Sequence, residues 1–229
     1  MENVSQQPQE EKLHEGNFDM ILNLDADTNS LKDIKALVID AIKIGKNPLS
    51  SWTPLTLADE RTKLGKVFTN SKDDPKFMVK IKLITKEHFE FKAALKMPGD
   101  EIEKRVIYAM NSVSNEMMMS PVIKEAITDE KIQTKIKDLG FAGVKFIEPL
   151  LATINRVTTE KCVFYDYVKG DSLNNTEETD IIVRTIRDYL EDAGIMAYDL
   201  TRSAVLFDSN SKMLYLVDAE AYLKKSENE

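Results

Sequence analysis

The spacing of apolar residues along this chain switches between helical stripes and short alternating strands. The first stripe is Ile34, Leu37, Val38, Ala41 and Ile42, which predicts a helix from Leu31 to about Ile44. Ser30 and Asp33 supply an S-x-x-D capping pattern for it, and Gly45 a stop. Residues from Trp52 to Leu83 read as strands. The clearest is Phe77-Met78-Val79-Lys80-Ile81-Lys82-Leu83, where Phe77, Val79, Ile81 and Leu83 share a face. A second helix is predicted from about Asp100 to Met117, with Ile102, Val106, Ile107, Met110 and Val113 on one side, and residues 121–139 read as further helix. Two apolar runs, Val144 to Ile154 and Lys161 to Val168, predict a hairpin across Arg156–Glu160, ended by Gly170-Asp171. A helix from Glu177 to Ala193 carries Ile182, Ile186, Tyr189, Leu190 and Ala193 as its stripe, with Asn175 and Glu178 as cap pattern and Gly194 beyond its end. Strands Val205–Phe207 and Met213–Val217 close the pattern around a polar turn.

This order is α+β, in two lobes. Residues 1–17 are polar and acidic without periodicity and read as a disordered tail, 18–168 as a β-rich N-terminal lobe with its own helix, and 169–229 as a second lobe with fraying C-terminal residues. The 229 residues suffice for a real core in one domain or two small lobes. The formal charge of -8 argues against nucleic acid or an anionic membrane as the main partner. No run approaches the ~18 apolar residues of a membrane span, and the N-terminal residues lack the apolar core of a secretory signal. One cysteine, Cys162, excludes an internal disulfide framework and suits a reducing, cytoplasmic setting. Lying in an apolar strand, it reads as an inert thiol. With only His14 and His88 in the chain, neither a zinc pair nor a Ser-His-Asp arrangement is expected. Met117-Met118-Met119 reads as helix-end packing.

The chemistry concentrates near the C-terminus. In Ala197-Tyr198-Asp199-Leu200-Thr201-Arg202-Ser203-Ala204 an acid follows an amphipathic helix. After it come a short apolar strand, a polar turn, and a second strand, Leu214-Tyr215-Leu216-Val217, ending in Asp218. Carboxylates so placed can hold a proton acceptor and a metal ion around one phosphate. Upstream, alternation puts Met78, Lys80 and Lys82 on one face of their strand.

These residues, from roughly Leu55 to Asp218, resemble the protein-kinase-like superfamily, and in particular the minimal kinase-like proteins of bacterial effectors and large DNA viruses. The resemblance implies a two-lobed fold with a β-rich N-lobe and a truncated helical C-lobe. It also implies ATP and Mg²⁺ as cofactors. In its terms Phe77-Met78-Val79-Lys80 matches the lysine-bearing strand, and Lys80, with Lys82 as alternative, reaches the nucleotide phosphates. Glu103, or Glu101, is the acid that fixes that lysine. Lys161–Gly170 matches the hinge: the backbone around Asp166 and Val168 holds adenine, and Tyr165 guards the back of the pocket. Asp199 orients or deprotonates the acceptor hydroxyl, and Asp218 binds the metal.

The departures from the family pattern are specific. Ala197 stands where the family has His and Ala204 where it has the Asn that holds a second metal; Thr201 replaces a lysine, for which Arg202 is a stand-in. D-F-G becomes Asp218-Ala219-Glu220, and the only candidate phosphate loop, Leu64-Gly65-Lys66-Val67-Phe68, has one glycine. The chain stops 11 residues after Asp218, so the activation loop and peptide-docking helices of the family are not expected. Two functions follow from the resemblance. One is a nucleotide-binding pseudokinase or interaction scaffold, with a protein partner. The other is an active atypical kinase that moves the ATP γ-phosphate to a Ser/Thr or small-molecule hydroxyl. Either fits a resident cytoplasmic protein or a secreted effector acting in a host cytosol.

Overall fold

The computed structural model describes residues 10–46, 48–54, 66–84, 99–174, 176–197, 200–217 and 222–224. The chain divides into two compact units. The first takes in the described residues up to Met118 together with Pro149–Tyr167; the second takes in Met119–Glu148 and the described residues from Val168 onward.

The first unit is built on a seven-stranded antiparallel sheet. Its strands are β1 (Glu10–Glu15), β2 (Phe18–Asn23), β3 (Thr53–Pro54), β4 (Lys66–Thr69), β5 (Phe77–Leu83), β7 (Pro149–Asn155) and β8 (Glu160–Asp166), in the order β1-β2-β7-β8-β5-β4-β3. Side-chain alternation makes the two faces unlike. One face presents Phe77, Val79, Leu151, Cys162 and Phe164 to helix α1 (Thr28–Lys43), which answers with Leu31, Ile34 and Val38. Trp52 meets Phe164 edge-on, with ring centroids 5.5 Å apart. Helix α1 starts three residues before the predicted Leu31, because Asp27 caps it by accepting from the amides of Asn29 and Ser30.

Residues 10–15 correct the expectation of a tail over 1–17. They form β1, paired residue for residue with β2 from Glu10↔Asn23 to Glu15↔Phe18. Only Leu13 in that strand is apolar, so its alternation was invisible. The strand is held instead by backbone pairing and by Asp19, which accepts from Arg156 at 2.9 Å and bonds His14 at 2.8 Å.

Helix α2 (Glu101–Thr128) runs 11 residues beyond the predicted Met117 and passes through Pro121; the division between units falls within it. Helix α3 (Glu130–Asp138) follows, capped by Asp129. The apolar run from Val144 is likewise split. Strand β6 (Gly143–Phe146) pairs parallel with β12 (Met213–Leu216), and β7 starts afresh at Pro149, a residue with no N–H to give a ladder.

The second unit carries the four-stranded sheet β6-β12-β11-β9, with β9 at Asp171–Ser172 and β11 at Val205–Asp208. A separate pair joins β10 (Ile195–Ala197) to β13 (Tyr222–Lys224). Helix α4 (Glu177–Asp192) agrees with the predicted span. Its cap is a Thr176/Thr179 box, Asn175 lying outside the described residues, and Gly194 at φ 78 supplies the left-handed turn after it. Ile182, Ile186 and Leu190 of its stripe join Ile123, Ile127, Ile132, Ile136, Val144 and Leu214 in one core. No helix among the described residues is long and apolar enough to cross a membrane.

Gln133 locks β6 to the preceding helices. Its amide donates to the carbonyls of Ile127 (2.6 Å) and Val144 (2.7 Å) and accepts from the Val144 N–H (3.2 Å). A Cβ at Gly143 would lie 2.6 Å from the Gln133 Oε1. Gln133→Ala is expected to cost about 2–3 kcal/mol, as a lower urea midpoint at unchanged m-value. Gly143→Ala is expected to cost about 1–3 kcal/mol alone, and clearly less on the Gln133→Ala background, because the clash is with that side chain. Equal costs on both backgrounds would show that the backbone conformation at Gly143, φ 158, sets the cost rather than the clash.

Candidate functional site

Strand β5 faces two ways. With Phe77, Val79 and Ile81 committed to α1, alternation turns Met78, Lys80 and Lys82 to the other face, as the sequence predicts. Across the ladder Met78 stands opposite Tyr165, Lys80 opposite Val163, and Lys82 opposite Lys161. Met78 is buried; Lys80 and Lys82 are half-buried.

Helix α2 meets this face. The Tyr165 hydroxyl donates to Glu116 Oε1 at 2.6 Å, and Lys161 Nζ donates to Ser112 Oγ at 2.9 Å. Ser112 and Glu116 are one helical turn apart, while Lys161 and Tyr165 are four residues apart on β8, so helix and strand run alongside each other with the Lys80 level between the two contacts. Glu116 is 1% exposed and Lys161 2%. Charged side chains so deep must be paired and hydrogen-bonded.

Glu103, the acid first expected beside Lys80, is placed elsewhere. It is exposed in the first turn of α2, its N–H donates to Asp100 at 2.9 Å, and its carboxylate lies over Gly99. Thirteen residues separate it from Glu116, which is about 20 Å of helix and a rotation of about 220°. Glu101 is also exposed and pairs with Arg105 at 2.8 Å. The acid that α2 turns onto the lysine face is therefore Glu116. Its signal in the sequence is an isolated acid within the apolar stretch around Val113 and Met117.

The end of β8 shows what the predicted hinge can offer. Tyr167 N–H donates to Lys76 O at 2.8 Å, which makes Phe77/Asp166 a pair whose own backbone groups point away from each other. Asp166 thus turns its N–H and C=O from β5 toward the β7 side, one residue past the last β7 pair, Pro149↔Tyr165. Its side chain goes to the α1 face, where burial pushes its carboxyl up, a Ser30 hydrogen bond works the other way, and nearby Asp27 adds to the rise. Val168 is half-buried. Gly170 passes so close to β11 that a Cβ there would be 3.2 Å from Leu206 Cβ and 3.3 Å from the Phe207 backbone.

Asp199 and Asp218 lie outside the described residues, as do Gly65, His88 and the Ala219-Glu220 pair. The chain flanking the two acids is well tied. Ala197, two before Asp199, pairs with Tyr222. Leu200, one after it, is fully buried, and its carbonyl accepts from Arg187 of α4 at 2.5 Å. Ala204 is 7% exposed, and its carbonyl accepts at 2.9 Å from Val217, the residue before Asp218. Position 204 is therefore bonded to the approach to Asp218. Arg202, the stand-in for a missing lysine, extends its guanidinium to Asp180 of α4. Burial raises the Cys162 thiol far above its usual range, in keeping with an inert role.

No family model matches this chain, and no curated protein matches it. Solved structures similar to it include WbdD, at 13% identity and TM-score 0.40, covering 76% of this chain and 34% of that one. Another is the Cydia pomonella granulovirus kinase PK-1, at 17% identity and TM-score 0.39, covering 81% and 59%. A rhoptry kinase from Toxoplasma gondii is similar at 11% identity and TM-score 0.36, covering 76% and 47%. The chain spans from 34% to 59% of the length of these three. In its own element order, from the lysine-bearing strand β5 through α2, the β7–β8 hairpin and α4 to β10, β11 and β12, the chain is α+β, with a seven-stranded antiparallel sheet in the first unit and a four-stranded sheet in the second.

Proposed function

We propose that this chain binds a nucleotide in the kinase manner and acts as a pseudokinase or interaction scaffold with impaired phosphotransfer. The observation that carries the reading is Ala204, buried and bonded through its carbonyl to Val217, next to Asp218. At that position a methyl group offers no ligand, so the donors left for a cation are the Asp218 carboxylate and, beside it, Glu220. This set suits one Mg²⁺ rather than two. Bound there, Mg²⁺ would neutralise charge on two phosphate oxygens. Lys80 contacts the phosphates, with Glu116, in the place first assigned to Glu103, as the acid that fixes it. The backbone of Asp166 and Val168 takes the adenine edge; the outward-facing amide and carbonyl of Asp166 support that role. A protein partner is the natural target of a scaffold of this kind.

One feature favours the second reading, an active atypical kinase. Arg187 grips the Leu200 carbonyl, so the backbone beside Asp199 is held although Ala197 replaces the family's histidine. In that reading Asp199 takes the proton of a Ser/Thr or small-molecule hydroxyl as its oxygen bonds the γ-phosphorus of ATP and ADP leaves.

Calorimetric titration with ATP, with and without Mg²⁺, tests the nucleotide site. Lys80→Met is expected to weaken binding about tenfold or more, and Asp218→Asn to remove the benefit of Mg²⁺; if neither variant changes the affinity, the assignment is wrong. Transfer of label from γ-labelled ATP tests the chemistry. Little transfer is expected from the native chain, and Ala204→Asn is expected to raise it about 10²-fold, the usual worth of one well-placed charge stabiliser. Robust transfer by the native chain that is lost in Asp199→Asn would instead establish the enzyme.

A further inference from the structure

Glu116 has three rotatable side-chain bonds and lies almost wholly out of water. A buried carboxyl with no strong donor takes up a proton, and a protonated Glu116 could not fix a lysine. One donor to it is the phenol of Tyr165, 3% exposed and 2.6 Å from Glu116 Oε1. Tyr165 is suited to the task because its ring has few rotamers and because β8 is paired to β5. Tyr165 and Lys80 are diagonal neighbours on one face of that pair, about 7–8 Å apart at the backbone. A carboxylate tied to the hydroxyl is thus registered to Lys80 by the sheet, not by the helix alone.

We infer that Tyr165 is a positioning residue of the nucleotide site: its hydroxyl favours the ionised form of Glu116 and aims it at the lysine face. The inference rests on the nucleotide-site reading above. Among the described residues, the other charged and titratable groups on this face of the sheet are Lys80 and Lys82 from β5, Lys161 from β8, Glu10, Lys12 and His14 from β1, Asp19 from β2, and Arg156 beside it. Glu10 reaches Ser114 of α2 at 3.3 Å, two residues from Glu116. Within one turn of Glu116 on its own helix, Ser112, Val113, Met119 and Ser120 bring no further charge. Loss of the Tyr165 hydroxyl removes a donor to the charged form, so the Glu116 carboxyl must titrate at higher pH.

The test is the carbon-13 shift of the Glu116 carboxyl against pH in the full chain, with Mg-ATP affinity measured over the same range. In Tyr165→Phe the titration midpoint is expected to rise by about one unit or more, and the acid limb of the affinity profile to move up with it. At the native midpoint that is about a fivefold loss of affinity, approaching tenfold at lower pH and fading as pH rises. Glu116→Gln probes the bond from the other side: it should flatten the acid limb and make Tyr165→Phe without further effect. An unmoved midpoint, or a loss of affinity equal at all pH values, means Tyr165 only packs, and overturns the inference while the nucleotide site stands. A midpoint that moves in a protein whose native form binds no nucleotide overturns the nucleotide reading itself, and the inference with it.

Discussion

One ladder, β5 against β8, sets the terms for the first unit. Each strand must serve two faces that need opposite chemistry. Phe77, Val79, Cys162 and Phe164 enter an apolar core under α1, where each fully buried large side chain contributes about 1.5–3 kcal/mol. Met78, Lys80, Lys161 and Tyr165 necessarily go the other way, into a layer that α2 completes with Ser112 and Glu116. A slip of one residue would put lysines under α1 and phenylalanines against the acid. The apolar core thus fixes the register, and the register places the polar layer. The stability of one face and the chemistry of the other are a single constraint.

The second unit solves a different problem, holding loop backbone without regular structure. Arg187 takes the Leu200 carbonyl, Val217 takes that of Ala204, and β10, before Asp199 in the chain, pairs with β13, after Asp218. These are mostly main-chain bonds, indifferent to the side chain at 204. That explains how an alanine can occupy the position with the local backbone intact: the scaffold does not need the residue that the chemistry would.

Elements with strong periodicity were legible in the sequence. The α4 stripe, the alternation of β5 and the hairpin turn at 156–160 all appear where the residues put them. So does the face of β5 that carries Lys80 and Lys82. What failed to show has identifiable reasons. Strand β1 has one apolar residue and depends on a partner strand; α2 continues through Pro121 because buried Ile123 and Ile127 hold it; and the run 144–154 is broken only by Glu148-Pro149, too short a break to announce by itself that two different sheets meet there. Glu103 and Glu101 stand out in the sequence because acids near a helix start are conspicuous, whereas Glu116, deep in an apolar stretch, does not.

By itself, then, the sequence determined what short-range spacing determines: which residues share a strand face, where helices α1 and α4 lie, and which residue types flank the two acids. It also determined that residue 204 is an alanine, whatever surrounds it. The tertiary structure decided which acid meets the lysine face. That depends on the rotation of α2 about its axis, about 100° per residue, relative to a sheet built from distant segments. Only packing sets that angle, and it turned Glu116 inward and left Glu103 in water.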